Sequence, residues 1–177
     1  MTREDELIRQ IKQGRRESLD ELVEMYYPAI LRYCMWHMPD RESAQDATQE
    51  TFLKVVRFID RYSHTGQFRA FLYRIAANTC IDIKRKIAAT EFPTEPISEE
   101  MLLADCRSER CFQRIEDRQQ LAQALDCVSP GQRELILLRY GQELSLREIA
   151  AITGLPLRTV QTKLRRAMQK LNSLADM

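Results

Sequence analysis

The stretch LREIAAITGLPLRTVQTKLRRA, residues 146–167, decides the fold class of the carboxyl-terminal part of this chain. Ser145, just before it, is a residue type that caps helices, and helical spacing of apolar residues continues through Ile152. Gly154 follows, where a turn needs a residue that tolerates a positive φ, and Pro156 suits the start of a second helix. The small side chain of Ala150 allows two crossing helices to approach closely. The pattern predicts a helix-turn-helix.

The second of these helices has two chemically different faces on a helical wheel. Its apolar face contains Leu157, Val160, Leu164, Met168 and Leu171. Its other face and flanks contain Arg158, Thr159, Gln161, Thr162, Lys163, Arg165, Arg166 and Gln169. Arg and Gln suit base edges in a major groove, whereas Thr and Lys suit phosphates. The alternative is a solvated cationic face on an ordinary bundle, but the spacing of the preceding turn favours a DNA recognition helix.

The amino-acid composition limits which classes of protein are possible. The 177 residues are 44% hydrophobic and carry a net charge of only +1, so any attraction to nucleic acid must come from local segregation of charge. Five glycines, six prolines and no useful alternation of apolar and polar residues favour an all-α fold. The amino end lacks the apolar core of a signal peptide, and no apolar run approaches the roughly 20 residues of a membrane span. We therefore expect a cytoplasmic protein without membrane insertion.

The five cysteines are irregularly spaced. Cys34 and Cys80 lie among apolar residues at helical spacing and are predicted to be core residues. Cys106 and Cys111 have no His or third Cys at the spacing of metal ligands. Reduced thiols are therefore favoured over a zinc site or a redox pair, and neither a metal nor a cofactor is expected.

Three helices are predicted in the amino-terminal half. The first runs from Ser18 to about residue 38, with Pro28 as a possible bend; the second begins at Ser43; the third ends near Lys86. The predicted apolar faces of the second and third helices contain Phe52, Val55, Val56, Ile59, Phe71, Leu72, Ile75, Ala76 and Ile83. A loop with a Gly turn, residues 61–66, joins these two helices.

Residues 88–110 contain two prolines and several acidic residues, which are typical of a flexible linker. Helical spacing resumes near Cys111, and Ser129 followed by Pro130 predicts a further helix start. The sequence thus predicts two small helical domains, residues 1–87 and 111–177. The second is expected to be a four-helix unit that contains the helix-turn-helix.

Two surfaces of the first domain are candidates for binding. Asp46, Gln49, Glu50 and Leu53 share one helical face, which is either a solvated face or a docking surface for a basic partner helix. The third helix interleaves cations and Asn78 with aromatic residues, a combination suited to single-stranded DNA. The residues concerned are Tyr62, Phe68, Arg69, Phe71, Tyr73, Arg74, Asn78, Asp82, Arg85 and Lys86.

Four segments together resemble regions two and four of bacterial sigma factors, in the compact arrangement of the extracytoplasmic-function (ECF) group. They are ESLDELVEMYYPAILRYC, ESAQDATQETFLKVV, GQFRAFLYRIAANTCIDIKRK and LSLREIAAITGLPLRTVQTKLRRA. The resemblance covers residues 18–86 and 111–171. It implies binding to core RNA polymerase and to promoter DNA, with an anti-sigma factor as a further partner.

The resemblance also implies residue roles. Docking on the polymerase clamp would fall to Asp46, Gln49, Glu50, Phe52 and Leu53. Capture of the melted minus-ten strand would fall to Phe68, Arg69, Arg74, Asn78, Asp82 and Arg85, with Tyr62, Ser63 and His64 shaping a base pocket. The minus-thirty-five duplex would be read by Arg158, Thr159, Gln161, Thr162, Lys163, Arg165 and Arg166. The acidic linker would lie along a cationic polymerase channel.

Two other classes of protein compete with this hypothesis. An enzyme is disfavoured, because only His37 and His64 are present and no phosphate-binding loop or nucleophile elbow occurs. The stronger alternative is an autonomous helix-turn-helix regulator whose first domain senses a ligand or dimerises.

Overall fold

The computed structural model describes residues 3–62, 67–89 and 125–175. These residues form seven α-helices and no β-strand, which confirms the all-α prediction. The chain divides into two compact units, Met1–Pro96 and Ile97–Met177. The helix expected to end near Lys86 continues to Ala89, so the first residues of the predicted linker are helical. The rest of that linker, and the expected first helix of the second domain, lie outside the described residues.

The described part of the first unit contains four helices. They are α1 (Arg3–Lys12), α2 (Glu17–His37), α3 (Arg41–Phe58), followed by a 3-10 turn (Ile59–Arg61), and α4 (Phe68–Ala89). Helices α2, α3 and α4 pack against one another around buried Leu22, Ile30, Tyr33, Cys34, Val55, Leu72, Tyr73, Ala76 and Cys80. The α2 helix continues through Pro28. The predicted three-helix core is therefore confirmed.

The start of α3 differs from the prediction. The helix begins at Arg41, two residues before the expected start at Ser43. Asp40 is its cap, because the Asp40 carboxylate accepts a hydrogen bond of 2.6 Å from the Ser43 amide and one of 2.9 Å from the Ser43 hydroxyl. Ser43 is thus a donor to the cap.

Helix α1 was not predicted from the sequence, because most of its residues are charged or polar. Leu7 and Ile8 are nevertheless buried against the rest of the unit. The Tyr26 hydroxyl on α2 donates a hydrogen bond to the Glu4 carboxylate, and burial together with this acidic partner raises the pKa of Tyr26. Arg3 forms an ion pair with Glu21 across the same two helices.

The described part of the second unit contains α5 (Pro130–Ile136), a π-helical turn (Leu137–Gly141), α6 (Leu146–Thr153) and α7 (Leu157–Ala175). Ser129 and Ser145 each close a capping box, with Gln132 and Glu148 respectively. Gly154 ends α6 in the left-handed conformation with φ 70°, and its amide donates to the Ala150 carbonyl at 2.9 Å. The predicted caps and turn are confirmed.

Within the described part of this unit, the core lies between α5, α6 and α7. Its buried residues include Leu135, Leu138, Leu144, Ile149, Val160, Leu164 and Ala167. Leu157, predicted on the apolar face of α7, is 38% exposed, because it stands at the first residue of the helix. Met168 and Leu171 are half-buried. The apolar face of α7 is therefore covered mainly along its middle turns.

Candidate functional sites

The recognition face of α7, defined here as Arg158, Gln161, Thr162, Arg165 and Gln169, points away from the core. All five are exposed except Thr162, which is half-buried. Val160 and Leu164 anchor the opposite side, so the orientation of the face is fixed by packing. The flanking Lys163 and Arg166 are exposed and Thr159 is half-buried.

Charge on α7 is of one sign. The helix contains Arg158, Lys163, Arg165, Arg166 and Lys170 and no acidic residue. Because the whole chain has a net charge of only +1, it can attract phosphates only where positive charge is concentrated locally, as it is on this helix. The forked donors of Arg and the amides of Gln can form paired hydrogen bonds with base edges.

Tyr140 is a neighbour of this face that sequence reasoning missed. It lies in the π-helical turn, is exposed, and lines an open cleft of about 360 Å³ together with Gln161 and Arg165. A π-helical turn leaves no periodic signal in the sequence, so the position of Tyr140 could not be read from spacing.

The docking stripe on α3 comprises Asp46, Gln49, Glu50, Leu53 and Val56. Asp46 and Gln49 are exposed, Glu50 is half-buried, and Leu53 is 53% exposed. Val56 corrects the sequence prediction, because it is 42% exposed instead of buried. It lies three residues after Leu53 and extends the apolar part of the stripe.

Phe52 does not belong to this exposed surface. Its side chain is buried and stacks on Tyr27 with ring centroids 6.1 Å apart. Its burial agrees with its predicted place on the apolar face of α3, whereas its implied role in docking stays a prediction.

One exposed face of α4 is a candidate site for single-stranded DNA and is called the strand face here. It comprises Arg74, Asn78, Ile81 and Arg85, which follow one another at intervals of four, three and four residues. All four are exposed. Ile81 is 47% exposed and was not singled out from the sequence. An apolar side chain between an amide and two cations can contact an unstacked base while its neighbours bind phosphates.

Asp82 borders the strand face and is already paired. Lys54 on α3 donates to the Asp82 carboxylate at 3.3 Å and to the Thr79 hydroxyl at 3.2 Å. The contact joins the helix that carries the docking stripe to the helix that carries the strand face.

The aromatic residues near the start of α4 form a buried cluster. Phe68 is 1% exposed and Tyr62 is also buried, with ring centroids 5.7 Å apart. Phe71, expected in the core, is half-buried at 4.8 Å from Tyr62. Tyr62 and Phe68 therefore present no exposed ring face for base stacking. Their implied roles, Phe68 in strand capture and Tyr62 in shaping a base pocket, stay predictions. Ser63 and His64 lie outside the described residues.

The other residues near the cluster support its position. Lys12 of α1 donates a hydrogen bond to the Tyr62 carbonyl, and its ammonium lies 5.9 Å from the Tyr62 ring centroid. Arg69 is half-buried beside the cluster. Lys12 thus joins α1 to the aromatic cluster at Tyr62.

Two kinds of site are absent from the described parts of the chain. Over residues 3–62, 67–89 and 125–175, no three His, Cys, Asp or Glu side chains converge as metal ligands. None of the helices in these same ranges is both long and apolar enough to span a membrane.

The sequence matches two family models and several known proteins. The family model of Sigma-70 region 2 matches residues 22–90, and that of Sigma-70 region 4 matches residues 118–171. The chain is 31% identical over 173 residues to the ECF RNA polymerase sigma factor SigD of Mycobacterium tuberculosis, covering 94% of this chain and 81% of SigD. It is 29% identical over 174 residues to SigW of Bacillus subtilis, covering 93% and 92%.

Solved structures share the fold. CnrH, solved in complex with the cytosolic domain of CnrY, superposes with a TM-score of 0.75 at 24% identity and covers 99% of this chain and 98% of CnrH. The sigma factor RpoE of Bartonella quintana, solved with the anti-sigma factor NepR, gives a TM-score of 0.67 at 22% identity and covers 89% and 96%.

Proposed function

This chain belongs to the ECF group of bacterial sigma factors, and on that premise we propose that it binds core RNA polymerase and directs it to initiate transcription at promoters. It would act in the cytoplasm as an initiation factor and not as an enzyme. The observation that carries the proposal is an exposed face suited to DNA in each of the two units, α4 in the first and α7 in the second.

The docking stripe on α3 suits a polymerase helix with basic side chains. Asp46 and Glu50 supply negative charge that speeds encounter and fixes register, while Leu53 and Val56 supply apolar area at the centre of the contact. Such a combination binds one partner in one orientation. We therefore assign core binding to this stripe.

The strand face on α4 suits the displaced strand of a melted promoter. Opening duplex DNA costs about 1.4 kcal/mol per base-pair step. Contacts of unstacked bases with Asn78 and Ile81, and of phosphates with Arg74 and Arg85, offset that cost without nucleotide hydrolysis. The buried cluster around Phe68 anchors the start of the helix that carries this face.

The recognition face on α7 suits the major groove of a duplex upstream element. Its Arg and Gln side chains reach base edges, and the flanking Lys163 and Arg166 suit phosphates. DNA shape can add to the selectivity of such a contact.

An anti-sigma factor is proposed as a further partner, because covering the docking stripe and the recognition face would block both functions at once. The same exposed residues would then be protected in that complex. Hydrogen exchange of α3 and α7, with and without a candidate partner, tests this assignment; unchanged exchange in both helices would contradict it.

The proposal is tested by run-off transcription from a library of linear duplexes with randomised upstream sequence. Core polymerase with this chain should enrich a defined set of templates, and core or chain alone should enrich none. The matched comparison is binding of the chain alone to the enriched duplexes. Tight binding as a symmetric dimer, with no polymerase-dependent transcripts, would favour an autonomous regulator instead.

A further inference from the structure

Two cysteine thiols from different helices meet in the core of the first unit. The Cys80 thiol on α4 donates to the Cys34 sulfur on α2 over 3.8 Å, between positions 46 residues apart. Both side chains are buried. Contact between two thiols is not needed for packing, since any small apolar residue fills such a place.

We propose that Cys34 and Cys80 form a reversible disulfide when a small peroxide reaches them, and that this bond braces α2 against α4. Two sulfurs in a disulfide lie about 2.05 Å apart, so the thiols at 3.8 Å need to approach by about 1.8 Å. Side-chain rotation with a small shift of either helix provides this approach.

The environment favours Cys34 as the sulfur that reacts first. The hydrogen bond from Cys80 lowers the pKa of the Cys34 thiol, against the opposing effect of burial. A lower pKa means more thiolate, which is the nucleophilic form.

The reaction balances with hydrogen peroxide as the oxidant. The Cys34 thiolate attacks one peroxide oxygen, the O–O bond breaks, and the departing hydroxide takes up the proton that Cys34 released, leaving a sulfenic acid and water. The Cys80 sulfur then attacks the Cys34 sulfur, and the sulfenic hydroxyl leaves with the Cys80 proton as a second water. Two thiols lose two electrons, and one peroxide becomes two waters.

A route for peroxide would begin at the carboxyl-terminal ends of the same two helices. A cleft of about 370 Å³ lies there, lined by His37, Met38, Lys84 and Ile87 among others. His37 follows Cys34 by three residues and Lys84 follows Cys80 by four, so the cleft lies one helical turn from the thiols. Because Met38 between cleft and core is buried, reaction requires local opening and should be slower than at the exposed Cys127.

The test uses a full-length chain that carries Cys106→Ser, Cys111→Ser and Cys127→Ser, so that only the pair remains. After hydrogen peroxide, the intact mass should fall by two hydrogen atoms and both thiols should be lost to alkylation after denaturation. Dithiothreitol should restore both. The matched control adds Cys34→Ser, which should abolish the mass loss.

A second measurement uses the native chain. Peptide mapping under non-reducing conditions should show a Cys34 peptide joined to a Cys80 peptide. Three results would overturn the proposal: a pair that stays fully open to alkylation however long the peroxide treatment continues after Cys127 is oxidised, a gain of oxygen at either cysteine without a cross-link, or disulfides only between copies. This inference stands apart from the proposed function, because none of its measurements requires polymerase or DNA.

Discussion

At the residue scale, backbone conformation decides which glycines can be replaced without loss of stability. Gly154 ends α6 at φ 70°, whereas Gly131 lies inside α5 with a helical conformation. A Cβ built at either position meets no atom within 4 Å. The two glycines therefore differ in backbone strain alone, not in available space.

This difference predicts opposite effects of one substitution. Gly154→Ala should lower the free energy of unfolding by about 1–2 kcal/mol, because a side chain disfavours the left-handed conformation. Gly131→Ala should raise it by about 0.4–1 kcal/mol through a less flexible unfolded chain. Urea unfolding followed by circular dichroism measures both; equal signs would show that the turn geometry is wrong.

At the element scale, helices form both the cores and the candidate sites. The spacing of apolar residues predicts some of these helices and misses others. The long helices α2, α3, α4 and α7 were predicted because each repeats apolar residues over at least 18 positions. Helix α1 was missed because only Leu7 and Ile8 of its ten residues are buried. Val56 and Ile81 were misplaced or overlooked because a wheel shows apolar residues but not how far the neighbouring helices cover them.

The recognition face makes a prediction about base reading. Arg165→Ala should weaken binding of the polymerase complex to its upstream duplex element by roughly 1–3 kcal/mol. Arg165→Lys keeps the positive charge but lacks the paired donors of the guanidinium. The complex with this variant should therefore lose most of its sequence preference and little of its non-specific affinity for DNA. Competition binding with matched and mismatched duplexes measures this. Lys170→Ala is the control and should weaken all duplexes alike.

The strand face makes a separate prediction. Asn78→Ala and Ile81→Ser should each weaken binding of the polymerase complex to a single-stranded promoter oligonucleotide by about 1–3 kcal/mol, the range for lost base contacts. Fluorescence anisotropy measures this. Met25→Ser removes another exposed apolar side chain, on α2, and should change nothing. An equal loss in all three variants would contradict the assignment of this face.

At the scale of the whole molecule, the account depends on surfaces with different partners on a chain of net charge +1. On the proposed function, acidic and apolar residues of α3 would face one partner, and basic faces of α4 and α7 would meet DNA. The division into two helical domains could be predicted, since Pro and acidic residues interrupt helical spacing. The burial of Tyr62 and Phe68 could not, because it depends on contacts between helices far apart in sequence.

Docking can be separated from folding by one pair of variants. Leu53→Ser should weaken binding to core polymerase by about 1–2 kcal/mol, as expected for an apolar residue central to an interface. Its exposure means that stability should change little. Phe58→Ser removes a comparably exposed apolar residue on another side of α3 and serves as the control. Equal affinities of the two variants for core would refute the docking stripe.

The most direct measurement is permanganate reactivity of thymines in a promoter enriched by transcription. Core polymerase together with this chain should make thymines near the start site reactive, while each component alone should leave the duplex closed. The Asn78→Ala variant should bind core as the wild type does and yet leave these thymines less reactive. A duplex that stays unreactive with core and wild-type chain together would contradict the central claim.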